Sequence, residues 1–232
     1  MMYIAWDPIL IGVSWLVAFF AAFVALDSAG KIRLANSRAS LFWRFAGGVT
    51  LGTGIWSMHF IGMLAMRMPV MMSYDPELTL TSFGISLVAA TLAINIAVSG
   101  GSLSLPRLLL ATVILSAGIV SMHYVGMSAL LAHSAIRWNM PVVLLSGVIS
   151  LIASGTGLRL AFHFRHQHKG VVKKRIIAAG VLGAAVCAMH YTGMAAADFH
   201  SGAHAISAGI GEMRLSVWVS ATTLLLLGIM LI

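Results

Sequence analysis

The sequence has very few charged residues. Asp, Glu, Lys and Arg together make up 9% of its 232 residues, whereas a soluble domain carries about 25%. So few charges cannot cover a water-facing surface, and 60% of the residues are hydrophobic. The composition therefore excludes an ordinary soluble domain and predicts a helical protein that crosses a membrane several times.

Cysteine and acidic residues are also scarce. The single cysteine, Cys187, excludes an intrachain disulfide framework and a CxxC metal or redox motif. The predicted spans hold no acid–base pair, which argues against an enzyme. The net charge of +8 does not indicate a nucleic-acid partner, because the basic residues lie in loops between apolar runs.

Apolar runs recur along the whole chain and predict seven transmembrane helices. The fold class is therefore all-α, a polytopic membrane protein built as three helix-pair repeats plus a closing helix. A single domain over residues 1–232 would hold repeats at about 8–78, 79–140 and 141–213, with the closing helix at about 215–232. The predicted spans are about 8–26, 41–65, 79–98, 106–131, 141–162, 176–197 and 215–232.

The loops predict the orientation of these spans. Of the 14 Lys and Arg residues, 11 lie on the side reached after the first, third and fifth spans. Five of the six acidic residues lie on the other side. By the positive-inside rule, the N-terminus is outside and the C-terminus is in the cytoplasm.

One motif occurs three times. Met-His-aromatic-x-Gly-Met stands at residues 58–63, 122–127 and 189–194, with its histidines 64 (123 − 59) and 67 (190 − 123) residues apart. A motif at a near-constant period indicates an internal repeat. The histidines follow basic residues at the helix starts by 15, 16 and 15 residues (Arg44, Arg107 and Arg175), or about 22–24 Å of helix. All three therefore lie at one level, in the outer part of the hydrocarbon layer.

The motif has the residues of a metal site. Histidine at i and methionine at i+4 share one helix face, and glycine at i+3 lets another helix or a ligand approach. Imidazole binds copper, zinc, iron and nickel, while thioether sulfur selects Cu(I). No carboxylate or thiolate recurs in the repeat, so copper fits best, with the number of ions open. The predicted ligands are His59, His123, His190, Met63, Met127 and Met194, with Met58, Met122 and Met189 as candidates for the same or a second ion.

Two alternatives stay open at this stage. The three histidines could instead form a packing core in which each bonds a neighbouring backbone. Tyr124 and Tyr191, which follow two of the histidines, could hydrogen-bond groups around the site or lie at the membrane interface. The first repeat has Phe60 at this position, so a hydroxyl is not needed in every copy.

The third motif reads Met189-His190-Tyr191-Thr192, and the chain resembles the MHYT domain, a membrane sensor module of bacterial signalling proteins. The resemblance covers essentially the whole chain. It implies a multi-pass protein of the bacterial inner membrane that binds copper near the outer face and senses oxygen, carbon monoxide or nitric oxide. It also implies a cytoplasmic output domain, fused or separate, that makes or breaks cyclic di-GMP or binds DNA, and a homodimer. Alternatives are a copper-dependent redox protein and a copper transporter, although ligands at one depth do not suit transport.

Overall fold

A computed structural model of the chain describes most of its length. The described ranges are 5–34, 36–68, 72–98, 103–131, 136–164, 171–199 and 209–231.

These ranges contain seven long helices, as the apolar runs predict. The helices are α1 (Pro8–Leu34), α2 (Ser37–Leu64), α3 (Pro76–Val98), α4 (Leu105–Ser128), α5 (Met140–Phe164), α6 (Val171–Ala195) and α7 (Glu212–Leu231). Proline stands in the first turn of α1, α3, α4 and α5, where it removes no helical hydrogen bond. The helices satisfy their own backbone polar groups, which a membrane core requires.

Five helices, α1, α3, α4, α5 and α6, are long and apolar enough to cross a membrane. The chain is therefore a multi-pass membrane protein. Within the described residues, α2 and α7 fall outside this set. For α2 the reason lies in its residues, because Thr50, Thr53, Ser57 and His59 lower its hydropathy and are all buried against other helices. Lipid does not contact this part of α2, so low hydropathy carries no penalty there.

The first six helices form a closed ring of neighbours. Each packs against the next in sequence, and α6 packs against α1. The even-numbered helices α2, α4 and α6 also contact one another, and α5 contacts α1 and α3. α7 packs on the outside against α2 and α1. The arrangement has a pseudo-threefold axis, with the pairs α1–α2, α3–α4 and α5–α6 around it.

Short strands lie at one end of the ring, and the sequence patterns do not predict them. The strands are β1 (Ala5–Trp6), β2 (Met66–Arg67), β3 (Ser73–Tyr74), β4 (Ile136–Trp138), β5 (Ala197–Phe199) and β6 (Ile210–Gly211). β1 pairs with β2 and β4 with β5, so each pair joins the start of one helix pair to its end. β3 pairs with β6, and Tyr74 also forms a bridge with Leu130, just after α4. Each helix pair is thus closed by backbone pairing beside the motif end of its second helix.

The residues just before α1, α3 and α5 complete this closure. The backbone N–H of Asp7 donates to the carbonyl of Ala65 at 2.8 Å. Equivalent bonds join Asp75 to Ala129 (2.8 Å) and Asn139 to Ala196 (2.9 Å). The three acceptors each stand six residues after a motif histidine, which fixes the motif end of each even helix to its partner helix.

The side chains of the same residues cap α1, α3 and α5. A carboxylate oxygen of Asp7 accepts from the backbone N–H groups of Ile9 and Leu10, at 3.0 and 3.2 Å. Asp75 accepts from Leu78 at 2.9 Å. Such bonds satisfy the first free N–H groups of a helix. The cap residues recur at intervals of 68 and 64 (75 − 7 and 139 − 75), so the internal repeat extends into the odd-numbered helices.

Candidate metal centre

The three motif histidines lie at the same position on α2, α4 and α6. His59, His123 and His190 each stand five residues before the end of their helix. All three are buried, with 0%, 1% and 1% of their surface exposed. The common depth predicted from the basic residues at the other end of the helices agrees with this position. The three rings contact one another, so the histidines meet on the pseudo-threefold axis.

The imidazole rings converge through their Nδ1 atoms. The Nδ1–Nδ1 distances are 3.1 Å for His59 and His190, 3.1 Å for His59 and His123, and 3.3 Å for His123 and His190. The planes of the three rings lie at angles of 76° to 90° to one another. The result is a nearly equilateral triangle of nitrogens at the centre of the bundle.

Hydrogen bonding among the rings cannot satisfy this triangle. Each Nδ1 has one in-plane site, which is either an N–H donor or a lone pair. Three such sites that face one centre allow one N–H···N bond, and the third nitrogen is left without a partner. A buried unpaired polar atom costs about 1–3 kcal/mol. A cation at the centre would instead accept all three lone pairs.

The spacing of the triangle fits a metal ion. Imidazole nitrogens bind first-row metals at about 2.0 Å, which places two ligands of a tetrahedral ion about 3.3 Å apart. The measured separations of 3.1 to 3.3 Å are close to this value. Three protein ligands would leave one tetrahedral position open. Within the described residues, this trio is also the one cluster of three or more His, Cys, Asp or Glu side chains with ligand atoms close enough to share an ion.

The second nitrogen of each ring faces a motif glycine of another repeat. Nε2 of His59 lies against Gly126, that of His123 against Gly193, and that of His190 against Gly62. A Cβ atom built on any of these glycines would collide with the Nε2 atom. None of the three Nε2 atoms has a hydrogen-bond partner of ordinary geometry among the described residues. The sequence predicts a close approach at these glycines, and the structure identifies the approaching group as the histidine of the preceding repeat around the ring.

The six motif methionines are buried in two positions. Met63, Met127 and Met194 stand four residues beyond the histidines, about 6 Å along each helix toward its motif end, and are 0%, 0% and 4% exposed. Met58, Met122 and Met189 precede the histidines and are each 1% exposed. Met58 packs with Ala18 and Cys187, whereas the other five belong to the main core. Three methionine residues therefore stand one helical turn from the histidines, toward the strand-bearing end.

The motif tyrosines bond to serines rather than to the histidines. Tyr124 shares a hydrogen bond with Ser146 of α5, and Tyr191 with Ser14 of α1, each at 2.9 Å. In the first repeat, where Phe60 has no hydroxyl, Trp56 donates its indole N–H to Ser82 of α3 at 3.1 Å. Hydrogen bonding to a neighbouring group is one of the two roles predicted for the tyrosines, and these contacts show it. Each motif helix is bonded in this way to the first helix of the next pair.

These serines are site residues that the sequence analysis missed. Ser14, Ser82 and Ser146 recur at 68 and 64 residues (82 − 14 and 146 − 82). Each follows a helix cap, Asp7, Asp75 or Asn139, by seven residues, so a search for repeats in the odd-numbered helices could have found them.

Comparisons with known proteins agree with the motif. The family model described as MHYT, bacterial signalling protein N terminal repeat, matches residues 52–111 and 117–172. These segments contain His59 and His123, while the third copy is recognised from its own motif and from the geometry of the triangle. No solved structure matches the chain.

Curated relatives are bacterial signalling proteins. The bifunctional diguanylate cyclase/cyclic di-GMP phosphodiesterase MucR of Pseudomonas aeruginosa is 40% identical over 98% of this chain and 33% of its own length. The signaling protein YkoW of Bacillus subtilis is 32% identical over 85% of the chain and 25% of its own length. The cyclic di-GMP phosphodiesterase NbdA of Pseudomonas aeruginosa is 33% identical over 82% and 24%. The chain thus spans a third or less of the length of these relatives. With the family match, the 40% identity to MucR and three motif copies around one buried centre, the chain belongs to the MHYT family.

Proposed function

We propose that the chain is a membrane-embedded copper-binding sensor module that responds to a diatomic gas and signals to a cytoplasmic output domain. The observation that carries this proposal is the triangle of three Nδ1 atoms, 3.1 to 3.3 Å apart, in a buried centre. The proposed unit is a single sensor domain made of three repeats and a closing helix. It has seven spans in the bacterial inner membrane, the N-terminus outside and the C-terminus in the cytoplasm.

The choice of copper rests on the donor set. His59, His123 and His190 are neutral ligands, and Met63, Met127 and Met194 add soft sulfur one turn away. Neutral nitrogen and thioether ligands suit a monovalent ion in a low-dielectric site, and thioethers select Cu(I). Met58, Met122 and Met189 remain candidate ligands for the same or a second ion, although Met58 packs toward α1.

Copper, when bound, would supply an open coordination position for oxygen, carbon monoxide or nitric oxide. The histidines hold the inner faces of α2, α4 and α6 together at one level. Release of one histidine or methionine would free one of these helices from the other two. A ligand can shift such a packing only by its differential affinity for the two states, and about 1–3 kcal/mol is typical of allosteric coupling.

The proposed output follows from the relatives. MucR and NbdA carry names of cyclic di-GMP enzymes, and this chain covers a minor part of each. We propose that this chain acts on a domain of that kind, fused or separate, and has no catalytic activity itself. Paired output domains would make a homodimer the working form.

Two rival functions use the same centre. In a copper-dependent redox protein, the open position would turn over oxygen with an electron donor. In a copper transporter, ligands would be needed at several depths, whereas the motif ligands occupy two adjacent turns. Steady oxygen consumption by the purified protein would favour the first rival, and copper flux into proteoliposomes would favour the second.

The deciding experiment is the copper content of the purified protein in detergent. We expect bound copper in the wild type and its loss in the His59→Ala/His123→Ala/His190→Ala variant. His163→Ala, which removes an exposed histidine near the other end of the bundle, is the matched control and should retain copper. Helix content and elution volume must match across the three proteins. Equal copper in wild type and triple variant would refute the metal site and leave the histidines as a packing core.

A further inference from the structure

An apolar cavity lies on the same axis as the histidines, on the side away from the motif methionines. Its volume is about 70 Å³, which is several times the volume of about 10–15 Å³ that holds one water. All six helices of the ring contribute to its wall. The cavity is therefore formed by the whole ring rather than by one helix.

Helices α2, α4 and α6 line the cavity in register with the metal centre. The lining residues stand four and eight residues before each histidine, on the same helix face. They are Ile55, Ile119 and Val186 in the first layer and Leu51, Leu115 and Leu182 in the second. These layers lie about 6 Å and 12 Å from the histidines along the helices. The cavity thus begins one helical turn from the triangle of nitrogens.

Small side chains on α1 and α5 create the space. α1 contributes Ala18, Ala22 and Ala25, and α5 contributes Gly157 and Ala161. At this depth α2, α4 and α6 present branched aliphatic residues to the cavity. The small residues of α1 and α5 leave the space opposite them unfilled. The void is a consequence of residue size, so a larger side chain at these positions would close it.

The chemistry of the wall selects the occupant. Ser154 is the one polar residue among the lining residues, it is 3% exposed, and its hydroxyl has no hydrogen-bond partner within the described structure. Water in a cavity needs two to four polar partners, so this wall does not hold water well. A small apolar molecule matches this wall, because the Ser154 hydroxyl oxygen is itself buried and adds little polar surface to the cavity.

We propose that this cavity is a binding site for a diatomic gas, placed one helical turn from the histidine centre. The inference deepens the proposed function, because the site would supply the same gas that the metal centre detects. The cavity itself does not depend on metal. Occupancy would raise the local concentration of gas beside the histidines and separate gas capture from coordination.

Xenon tests the site because it is apolar and enters dry cavities. Methyl NMR spectra of isoleucine-labelled chain in lipid nanodiscs would be recorded at rising xenon pressure, with bound copper kept reduced. The methyl shifts of Ile55 and Ile119 should saturate. Ile61, which is buried but does not line the cavity, should not respond. Ile152, which is 65% exposed, reports xenon dissolved in the lipid.

Filling variants make the test specific. Ala22→Leu and Ala161→Leu, on two different helices, should each abolish the saturable shifts. Ala117→Leu is the control, because Ala117 lies at the same depth on α4 but is exposed, and it should preserve them. Copper content should stay at the wild-type level in all three variants. A variant that fails to fold leaves the other to decide.

Several results would overturn the inference. One is that xenon shifts the methyl signals of Ile55 and Ile119 no more than that of Ile61. Another is that these shifts still saturate in both Ala22→Leu and Ala161→Leu. Cross-peaks between the Ile55 methyl group and lipid chain protons, with no effect of xenon, would identify an acyl chain as the occupant instead. If the wild-type chain binds xenon saturably but takes up no copper when copper is supplied, the metal centre is refuted and the cavity stands. If the wild-type chain binds copper but shows no saturable xenon binding, the cavity site is refuted and the metal centre stands.

Discussion

The two halves of the bundle are stabilised in different ways. In the motif half, directional contacts recur three times around the axis, including the histidine triangle, the histidine–glycine contacts and the aromatic–serine bonds. In the other half, the contacts around the axis are aliphatic and leave a cavity. Threefold directional bonding specifies one arrangement, while aliphatic contacts tolerate small shifts. The motif half is therefore suited to hold a ligand set, and the other half to change packing.

The cavity half has two ion pairs that share one aspartate, and among the described residues neither pair recurs around the axis. Arg175 of α6 pairs with Asp27 of α1 at 2.6 Å and also donates to the carbonyl of Phe164 at 3.4 Å. Lys31 pairs with the same aspartate at 3.3 Å. The Arg175–Asp27 pair joins the first and last helix pairs of the ring, α1–α2 and α5–α6. A signal that loosens the ring could act at this junction.

The largest effect should come from adding a methyl group in the motif half. Gly126→Ala places a Cβ atom against Nε2 of His59, so the ring must move out of the triangle. We expect a loss of about 1–3 kcal/mol in the free energy of unfolding from overpacking, together with a loss of copper. Denaturation and metal content in detergent would measure both.

Gly147→Ala is the matched control for that substitution. Gly147 lies in α5, and an added Cβ meets nothing within 4 Å. Alanine should raise helix stability there by about 0.5–1 kcal/mol and leave the copper content unchanged. If Gly126→Ala behaves like this control, the histidine–glycine contacts do not shape the site.

A change in the cavity half should affect stability without affecting the metal. Asp27→Asn removes the anionic partner of Arg175, whose side chain is 12% exposed. Because the pair is intermediate between surface and buried ion pairs, we expect a loss of about 1–2 kcal/mol. Copper content should match the wild type. A parallel loss of copper would show that the two halves are not independent.

The aromatic–serine bonds should differ among repeats. Ser146→Ala leaves the Tyr124 hydroxyl without its partner and should cost about 1 kcal/mol. Ser82→Ala should cost less, because the Trp56 N–H also faces the carbonyl of Thr79 at 3.3 Å. Unfolding of the two variants under identical conditions would compare them. An equal or larger loss in Ser82→Ala would contradict this ranking.

The smallest effect concerns an exposed ion pair at the strand-bearing end. Arg67 donates to Asp7 at 2.9 Å and, with the backbone bonds, lowers the pKa of that carboxyl below its ordinary value. A lowered pKa stabilises the folded chain above the unfolded pKa, and this contribution is lost as the pH falls through the folded pKa. Arg67→Ala should therefore lower the melting temperature slightly at pH 7.

The difference between wild type and Arg67→Ala should shrink as the pH falls below about 4. High salt should also reduce it, because the pair is exposed. A difference that is constant from pH 7 to pH 3 would mean that the arginine acts through packing rather than charge.

Much of the motif half could be predicted from the sequence. The spacing of the motif gives the repeat, and the basic residues at the helix starts give the common depth of His59, His123 and His190. Both depend on the regular rise of a helix, which needs no knowledge of neighbouring elements. The direction of each imidazole could not be predicted in this way. It depends on which helix lies opposite, as the contact of His59 with Gly126 shows.

The features that were missed are those that join different repeats. Ser14 and Ser82 are ordinary residues in apolar helices until their partners are known. The strands that contain Trp6 and Tyr74 are two residues long, too short for any alternation to be seen. The cavity depends on the absence of bulk at Ala22 and Ala161, and a sequence of small residues equally allows tight packing, as at Ala21 against Gly54.

X-ray absorption at the copper edge of the purified protein tests the central claim most directly. The account predicts three imidazole nitrogens at about 2.0 Å, and it predicts the loss of that signal when His59, His123 and His190 are replaced. A Met63→Leu/Met127→Leu/Met194→Leu variant should keep the imidazole signal and lose any sulfur signal. A spectrum without imidazole scattering, or one that is the same in the histidine variant, would contradict the account.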